Sequence, residues 1–170
     1  MNDDTEALRA DPILSRHGFN ETESRIAFAS HPVHAMMVAF PITAAFGTFG
    51  SDLFYWATGD DFWARAALWA IGSGFVFGVL AGIAGTVELL AVPGIRARSA
   101  SWTHFILAMT LLSVLGLNWG FRLADPVDAV LPYGVMLSAL CVLMTGLTGW
   151  HGGKLVFDYQ IGTQRGTDQD

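Results

Sequence analysis

The sequence predicts an all-α fold, a polytopic membrane protein in which four transmembrane helices form an antiparallel bundle. The chain of 170 residues is 52% hydrophobic and only 14% charged, whereas about a quarter of the residues of a soluble domain are charged. The charged residues gather near the two ends and in three short turns. Four apolar runs remain between them, each long enough to cross a bilayer.

These patterns divide the chain into three parts. We assign residues 1–29 to a polar N-terminal tail, residues 30–158 to the transmembrane domain and residues 159–170 to a polar C-terminal tail. Within the domain, the spans are predicted at about residues 31–56, 62–92, 101–123 and 130–157. The three turns that join them are short, so consecutive spans run in opposite directions.

The first span begins with two histidines, His31 and His34, whose spacing would place them on one face of a helix. Pro41 lies inside the span and should kink it, because proline has no backbone N–H for the helical hydrogen bond. Asp52 follows His34 by eighteen residues, which is five helical turns, so both side chains project from the same line of the helix.

The second span carries Gly74, Gly78 and Gly82 at every fourth position, a spacing that lets helices approach closely in lipid. Glu88 lies near the end of this span. A carboxylate that faced lipid would be costly, so we expect Glu88 to point into the bundle.

The third and fourth spans add polar groups of their own. The third carries His104 near its start and Arg122 at its end, with apolar residues between them. The fourth ends in a segment that contains His151, Gly152 and Gly153. Polar residues at both ends of an otherwise apolar line fit a helix face that looks into the bundle.

The antiparallel arrangement defines two faces of the membrane. Side A holds both tails and the turn between the second and third spans, and side B holds the two acidic turns. Side A carries most of the basic residues, namely Arg9, Arg16, Arg25, Arg96, Arg98, Lys154 and Arg165, against Arg65 and Arg122 on side B. The positive-inside rule therefore predicts that side A, with both termini, is cytoplasmic.

The same arrangement collects ionisable side chains from all four spans at side A. This layer consists of His31, His34, Glu88, His104 and His151. Imidazole binds iron, zinc and copper, and a haem with two histidine ligands needs two rings from opposed helices. We therefore consider His31, His34, His104 and His151 as candidate ligands of a haem b. At side B, Asp52 and Arg122 form a candidate structural polar pair.

Other interpretations of the layer remain open. A non-haem metal ion would use His31, His34, Glu88 and His104 as a compact cluster. Without a cofactor, the layer could relay protons, since histidine titrates near neutral pH. The middle of the bundle is predicted to contain only apolar residues and no water, which argues against a continuous proton path. These residues are Ala45, Leu111, Leu115 and Leu137. The last alternative is an accessory or structural subunit in which the polar groups only join helices.

The composition also excludes some classes of function. The formal net charge of −6 and the lack of a basic stripe speak against nucleic-acid binding. The sequence has no nucleophile elbow, no phosphate-binding loop and no His-Glu-x-x-His zinc motif, so no enzyme class is assigned. The expected partners are the lipid bilayer, a redox protein and further subunits in a homo- or hetero-oligomer.

Several of these motifs together resemble a known bacterial family. They are His31-Pro32-x-His34, Phe40-Pro41-Ile42, Asp52, Glu88, His104 with Asn118 and Arg122, and Gly152-Gly153-x-Leu155-Val156. In order and spacing they are similar to the membrane family called domain of unknown function 2231, over about residues 30–162. The chain departs from the family pattern at Ala35 and His151, where a second proline and an apolar residue are commoner.

The resemblance implies a multi-pass, four-helix protein of the bacterial cytoplasmic membrane without an assigned activity. Members of the family are often joined to redox domains or encoded beside them, which favours electron transfer. We therefore expect a small electron-transfer subunit that holds haem b, or another metal centre, through the side A histidines. The alternative expectation is a cofactor-free accessory subunit of a larger complex.

Overall fold

Four apolar helical segments make up almost all of the structure, a computed structural model that describes residues 22–28 and 31–161. The segments long and apolar enough to span a membrane are Val33–Thr58, Asp61–Ala91, Ser99–Arg122 and Val130–Phe157. Each bound lies within two residues of the sequence prediction. The predicted all-α fold with four membrane helices is confirmed.

The first and second spans differ in regularity. The first consists of two helices, Val33–Met37 and Ala39–Thr58, which are interrupted at Val38, close to Pro41. The second is one continuous helix, Asp61–Ala91, and the carboxylate of Asp60 caps it by accepting the backbone N–H of Phe62 at 2.9 Å. An interruption in the turn before a proline is expected, because the proline leaves one carbonyl there without its helical partner.

The second half of the chain follows the same course. A short helix, Pro93–Arg96, leads to the third span, Ser99–Arg122. The fourth span opens with a π-helical turn, Val130–Gly134, and continues as the helix Val135–Phe157.

A two-stranded antiparallel sheet precedes the first span, and it corrects the prediction for His31. The strands are Ala27–Phe28 and His31–Pro32, and His31 pairs with Phe28. The first span begins only at Val33, so His31 does not share a helix face with His34. The physical reason is Pro32, because the residue before a proline is disfavoured in the helical conformation.

The four spans form a ring. The first packs against the second, the second against the third, the third against the fourth, and the fourth against the first. The first and third spans are therefore diagonal and parallel to each other, and so are the second and fourth. Large apolar side chains such as Trp69, Ile106, Leu117 and Leu143 are exposed on the outside of the ring. This surface is suited to contact lipid.

The two halves of the bundle repeat one pattern of buried residues. His34 and Asp52 are eighteen residues apart in the first span, as are His104 and Arg122 in the third. Between them, the buried residues of the first span are Pro41, Ala45 and Thr48, and the last two match Leu115 and Asn118, the buried residues between His104 and Arg122 in the third span.

The second and fourth spans are related in the same way. Five buried positions of the second span are matched at identical spacing in the fourth: Ala67, Ile71, Gly74, Ala81 and Glu88 correspond to Gly134, Ser138, Cys141, Thr148 and Leu155. Because each span is parallel to its counterpart, the two hairpins are related by a pseudo-two-fold axis along the bundle.

Near side B, the halves are joined by a fully buried ion pair. The guanidinium of Arg122 donates to both carboxylate oxygens of Asp52, at 2.8 and 2.7 Å, and both side chains are 0% exposed. Arg122 also donates to Asn118 at 2.8 Å and to Ser138 at 3.0 Å, and the Ser138 hydroxyl donates to Asp52 at 2.5 Å. The network thus ties together the first, third and fourth spans.

We predict that Asp52→Asn destabilises the protein strongly, because it leaves the charge of Arg122 buried without its partner. Breaking one side of a buried ion pair typically costs about 3–5 kcal/mol. The measurement is the unfolding temperature of the detergent-solubilised protein, with Asp128→Asn in an exposed turn as the matched control, expected within about 0.5 kcal/mol of the wild type. A double variant, Asp52→Asn with Arg122→Gln, should recover part of the loss. If the double variant is no more stable than Asp52→Asn alone, the ion pair is not the source of the effect.

Candidate functional site

At the opposite end of the bundle, near side A, two histidines from diagonal spans meet. The ring centres of His34 and His104 are 6.4 Å apart, and their planes are inclined by 86°. The residues occupy matching positions in the two halves, so the rings approach the pseudo-two-fold axis from opposite sides. We call this arrangement the histidine pair.

The imidazole of His34 is fixed by the second span. Its Nδ1 lies 2.8 Å from the carbonyl oxygen of Ala81. The ring also packs on Gly85, where an added Cβ would lie only 2.8 Å from Nδ1 and 2.9 Å from Cε1. A side chain at position 85 would therefore displace the ring.

The imidazole of His104 is fixed by the fourth span in the same manner. Its Nδ1 lies 3.2 Å from the carbonyl oxygen of Thr148. An added Cβ at Gly152 would lie 3.0 Å from Cε1 of the ring. Each histidine thus rests on a carbonyl and a glycine four residues apart on the neighbouring helix, and all four spans contribute to the pair.

These contacts define the chemistry of both rings. A carbonyl oxygen can only accept a hydrogen bond, so Nδ1 of each ring must carry the proton. In the neutral imidazole, Nε2 then holds the free lone pair. This is the tautomer of metal-binding histidines, in which the hydrogen bond at one nitrogen orients the other for coordination. The pair therefore presents two Nε2 atoms that are able to bind a metal or accept a proton.

The other two candidate histidines make different contacts. His31 is exposed in the strand before the first span. His151 bonds through Nδ1 to the carbonyl of Leu147, four residues earlier in its own helix, at 3.0 Å. Its ring is thus held by the fourth span alone, without the contact between helices that fixes the histidine pair.

Glu88 is buried as expected, but its carboxylate bonds to the segment before the first span and not to a histidine. Its Oε1 accepts a hydrogen bond from the hydroxyl of Ser24, which fastens the segment before the first span to the end of the second. Within residues 22–28 and 31–161, no group of three or more His, Cys, Asp or Glu side chains is arranged to hold a metal ion. The compact cluster of His31, His34, Glu88 and His104 is therefore not assembled here, because His31 leaves the helix and Glu88 lies one turn beyond Gly85.

Sequence reasoning missed a set of hydroxyl groups beside His104. Ser101, Thr145 and Thr148 are 3%, 5% and 8% exposed, and their side-chain oxygens have no hydrogen-bond partner among the described residues. The sequence analysis placed Leu137 on the inner face of the fourth span. The inner face instead follows Ser138, and its 3-4-3 spacing leads directly to Thr145 and Thr148.

Comparison with known proteins agrees with this architecture. The family described as "Predicted membrane protein (DUF2231)" matches residues 30–165, which is most of the chain. No curated protein and no solved structure matches it. The four apolar helices and the extent of the family match identify the chain as an integral membrane protein that belongs to the DUF2231 family.

Proposed function

We propose that the protein is a small electron-transfer subunit of the membrane, in which His34 and His104 would hold a haem b. The observation that carries the proposal is the geometry of the histidine pair. Two imidazoles from diagonal helices approach one axis, and each has its Nδ1 within hydrogen-bonding distance of a carbonyl oxygen.

The separation of the rings supports one metal between them. Bonds between a metal and an imidazole nitrogen are about 2.0–2.1 Å long, so two rings on opposite sides of one ion have their centres about 6–6.5 Å apart. The rings of His34 and His104 are 6.4 Å apart.

The number of ligands favours haem over a non-haem ion. A haem iron takes its equatorial bonds from the porphyrin and needs only two ligands from the protein. A structural zinc site usually needs four protein ligands, and a catalytic site three. The histidine pair supplies two, and the described residues add no further cluster. When bound, a haem supplies one-electron transfer, whereas the protein holds the iron and sets its surroundings.

A second candidate function is a cofactor-free accessory subunit. The specific observation in its favour is that the histidine pair can join the helices by its own contacts. The two rings contact each other edge to face, and each bonds to a neighbouring span, so the contacts join all four helices without a ligand. Polar side chains commonly join helices within membranes in this way.

The setting of either function follows from the charge distribution. We propose that side A faces the cytoplasm of a bacterium, because most of the Lys and Arg residues lie there. The histidine pair would then be reached by a redox partner protein from the cytoplasmic side. The exposed apolar outer faces leave room for association with further subunits in the bilayer.

The absorbance spectrum of the detergent-purified protein tests the haem. We predict a Soret band and, after reduction, sharp α bands, all lost in His34→Ala and in His104→Ala. The matched control is His151→Ala, which removes a histidine at the same side of the membrane that bonds only to its own helix and should leave the spectrum unchanged.

Two other results of this experiment would contradict the proposed haem site. A colourless wild-type protein that contains no stoichiometric metal would refute the haem and support the accessory subunit. A spectrum that survives in both alanine variants of the pair would show that the iron is bound elsewhere.

A second prediction concerns the glycines under the rings. Gly85→Ala should lower haem content several-fold, because its Cβ would lie within 3 Å of the His34 ring, which must move. Gly149→Ala is the control, since a Cβ there meets nothing within 4 Å. Haem content per protein is measured by the pyridine haemochrome assay. Equal content in both variants would contradict a ligand role for His34.

A further inference from the structure

Three buried hydroxyls next to the histidine pair lack hydrogen-bond partners among residues 22–28 and 31–161: those of Ser101, Thr145 and Thr148. Ser101 precedes His104 by about one turn of the third span. Thr148 supplies the carbonyl that anchors His104, and Thr145 lies about one turn deeper in the fourth span. All three are more than nine-tenths buried. Buried polar groups in proteins nearly always have a partner, either protein or ordered water.

The other hydroxyls of the bundle behave differently. A serine or threonine in a helix commonly donates to the carbonyl four residues earlier. Eight side chains among residues 22–28 and 31–161 do so: Thr43, Thr48, Ser51, Thr58, Thr86, Thr103, Thr110 and Ser113. Thr145 and Thr148 do not make this bond, although their helix offers a carbonyl four residues earlier, and Ser101 lies in the first turn of its helix, where that carbonyl is outside the helix. Their orientation therefore suits a partner that is not part of the chain.

The internal repeat shows that these hydroxyls are a feature of one half only. Thr145 and Thr148 occupy the positions that Gly78 and Ala81 occupy in the second span. The matching position of the second span thus packs tightly with small apolar residues, whereas the fourth span offers oxygen atoms. Helix packing alone does not require hydroxyls there, because the second span packs without them.

We propose that Ser101, Thr145 and Thr148 line a site for ordered water molecules beside His104. A buried water needs two to four polar partners, which three hydroxyls and the neighbouring carbonyls supply. Each hydroxyl donates to the water and can accept from it. The proposal rests on the hydroxyls and not on Nε2 of either histidine, so it holds with or without a bound haem.

The bundle limits this water to one side of the membrane. Ser101 lies two residues from the start of the third span at side A. Beyond Thr145, toward side B, the interior closes with the buried cluster of Ala45, Ile71, Leu115 and Cys141. The proposed water site therefore lies between the side A end of the bundle and an apolar layer.

Water-edited solid-state NMR of the full-length protein, labelled with ¹³C-threonine and reconstituted in liposomes, tests the proposal. Magnetisation from water should reach the Cβ atoms of Thr145 and Thr148 several-fold faster than those of two controls. Thr48 is buried with its hydroxyl bonded to Ala44, and Thr110 faces lipid with its hydroxyl bonded to Ile106. Thr145→Val and Thr148→Val assign the two signals.

The outcomes separate this proposal from the haem. Fast transfer to Thr145 and Thr148 supports the water site, whatever the absorbance spectrum of the same sample shows. Transfer as slow as at Thr48 and Thr110 overturns it, even if the haem is present. In Thr145→Val, which keeps the side-chain shape and removes the hydroxyl, transfer to Thr148 should slow toward the control rate. An unchanged rate at Thr148 would also count against the site.

Discussion

The ion pair of Asp52 and Arg122 is the interaction on which the arrangement of the bundle depends. Two charges buried in a membrane protein are tolerated only when each is paired and hydrogen-bonded. Arg122 meets this condition with four hydrogen bonds, to Asp52, Asn118 and Ser138. These partners come from three different helices. A shift of any of the three along its axis would break a charged contact, so the pair fixes their register at side B.

The same register determines what meets at side A. Histidine and the charged residue are eighteen positions apart in both the first and third spans, which is about 27 Å along a helix. When Asp52 and Arg122 are opposite each other, His34 and His104 must be opposite each other too. The ion pair therefore acts as a fixed base that sets the separation of two imidazoles at the other membrane face. The second and fourth spans complete the site with a carbonyl and a glycine each.

Much of this could be predicted from the sequence, because lipid imposes simple rules. In lipid every backbone polar group must form a hydrogen bond within the protein, and a long, continuous apolar run satisfies this as a helix, so the four spans and their alternating directions followed directly. His34, His104, Asp52 and Arg122 were identified because ionisable residues are rare in apolar runs. The strand at His31 was missed, because it depends on pairing with Phe28 before the first span. The hydroxyl-lined face of the fourth span was missed as well, since threonine is equally common facing lipid, and only helix rotation decides which way it points.

The internal repeat explains why the two halves have the same helix arrangement but different side chains at several matching positions. When the same residue type occupies both positions at a two-fold axis, its two side chains must be able to lie next to each other without repulsion. Two imidazoles fulfil this condition, and histidine is present at both positions. Two equal charges would repel each other, and the matching pair at side B is instead an aspartate and an arginine. The second and fourth spans do not meet at the axis, so they are free to diverge: the second packs through Gly74 and Gly78, and the fourth carries hydroxyls. The fourth span therefore provides hydroxyl groups on one flank of the histidine pair, and the second span provides close packing on the other.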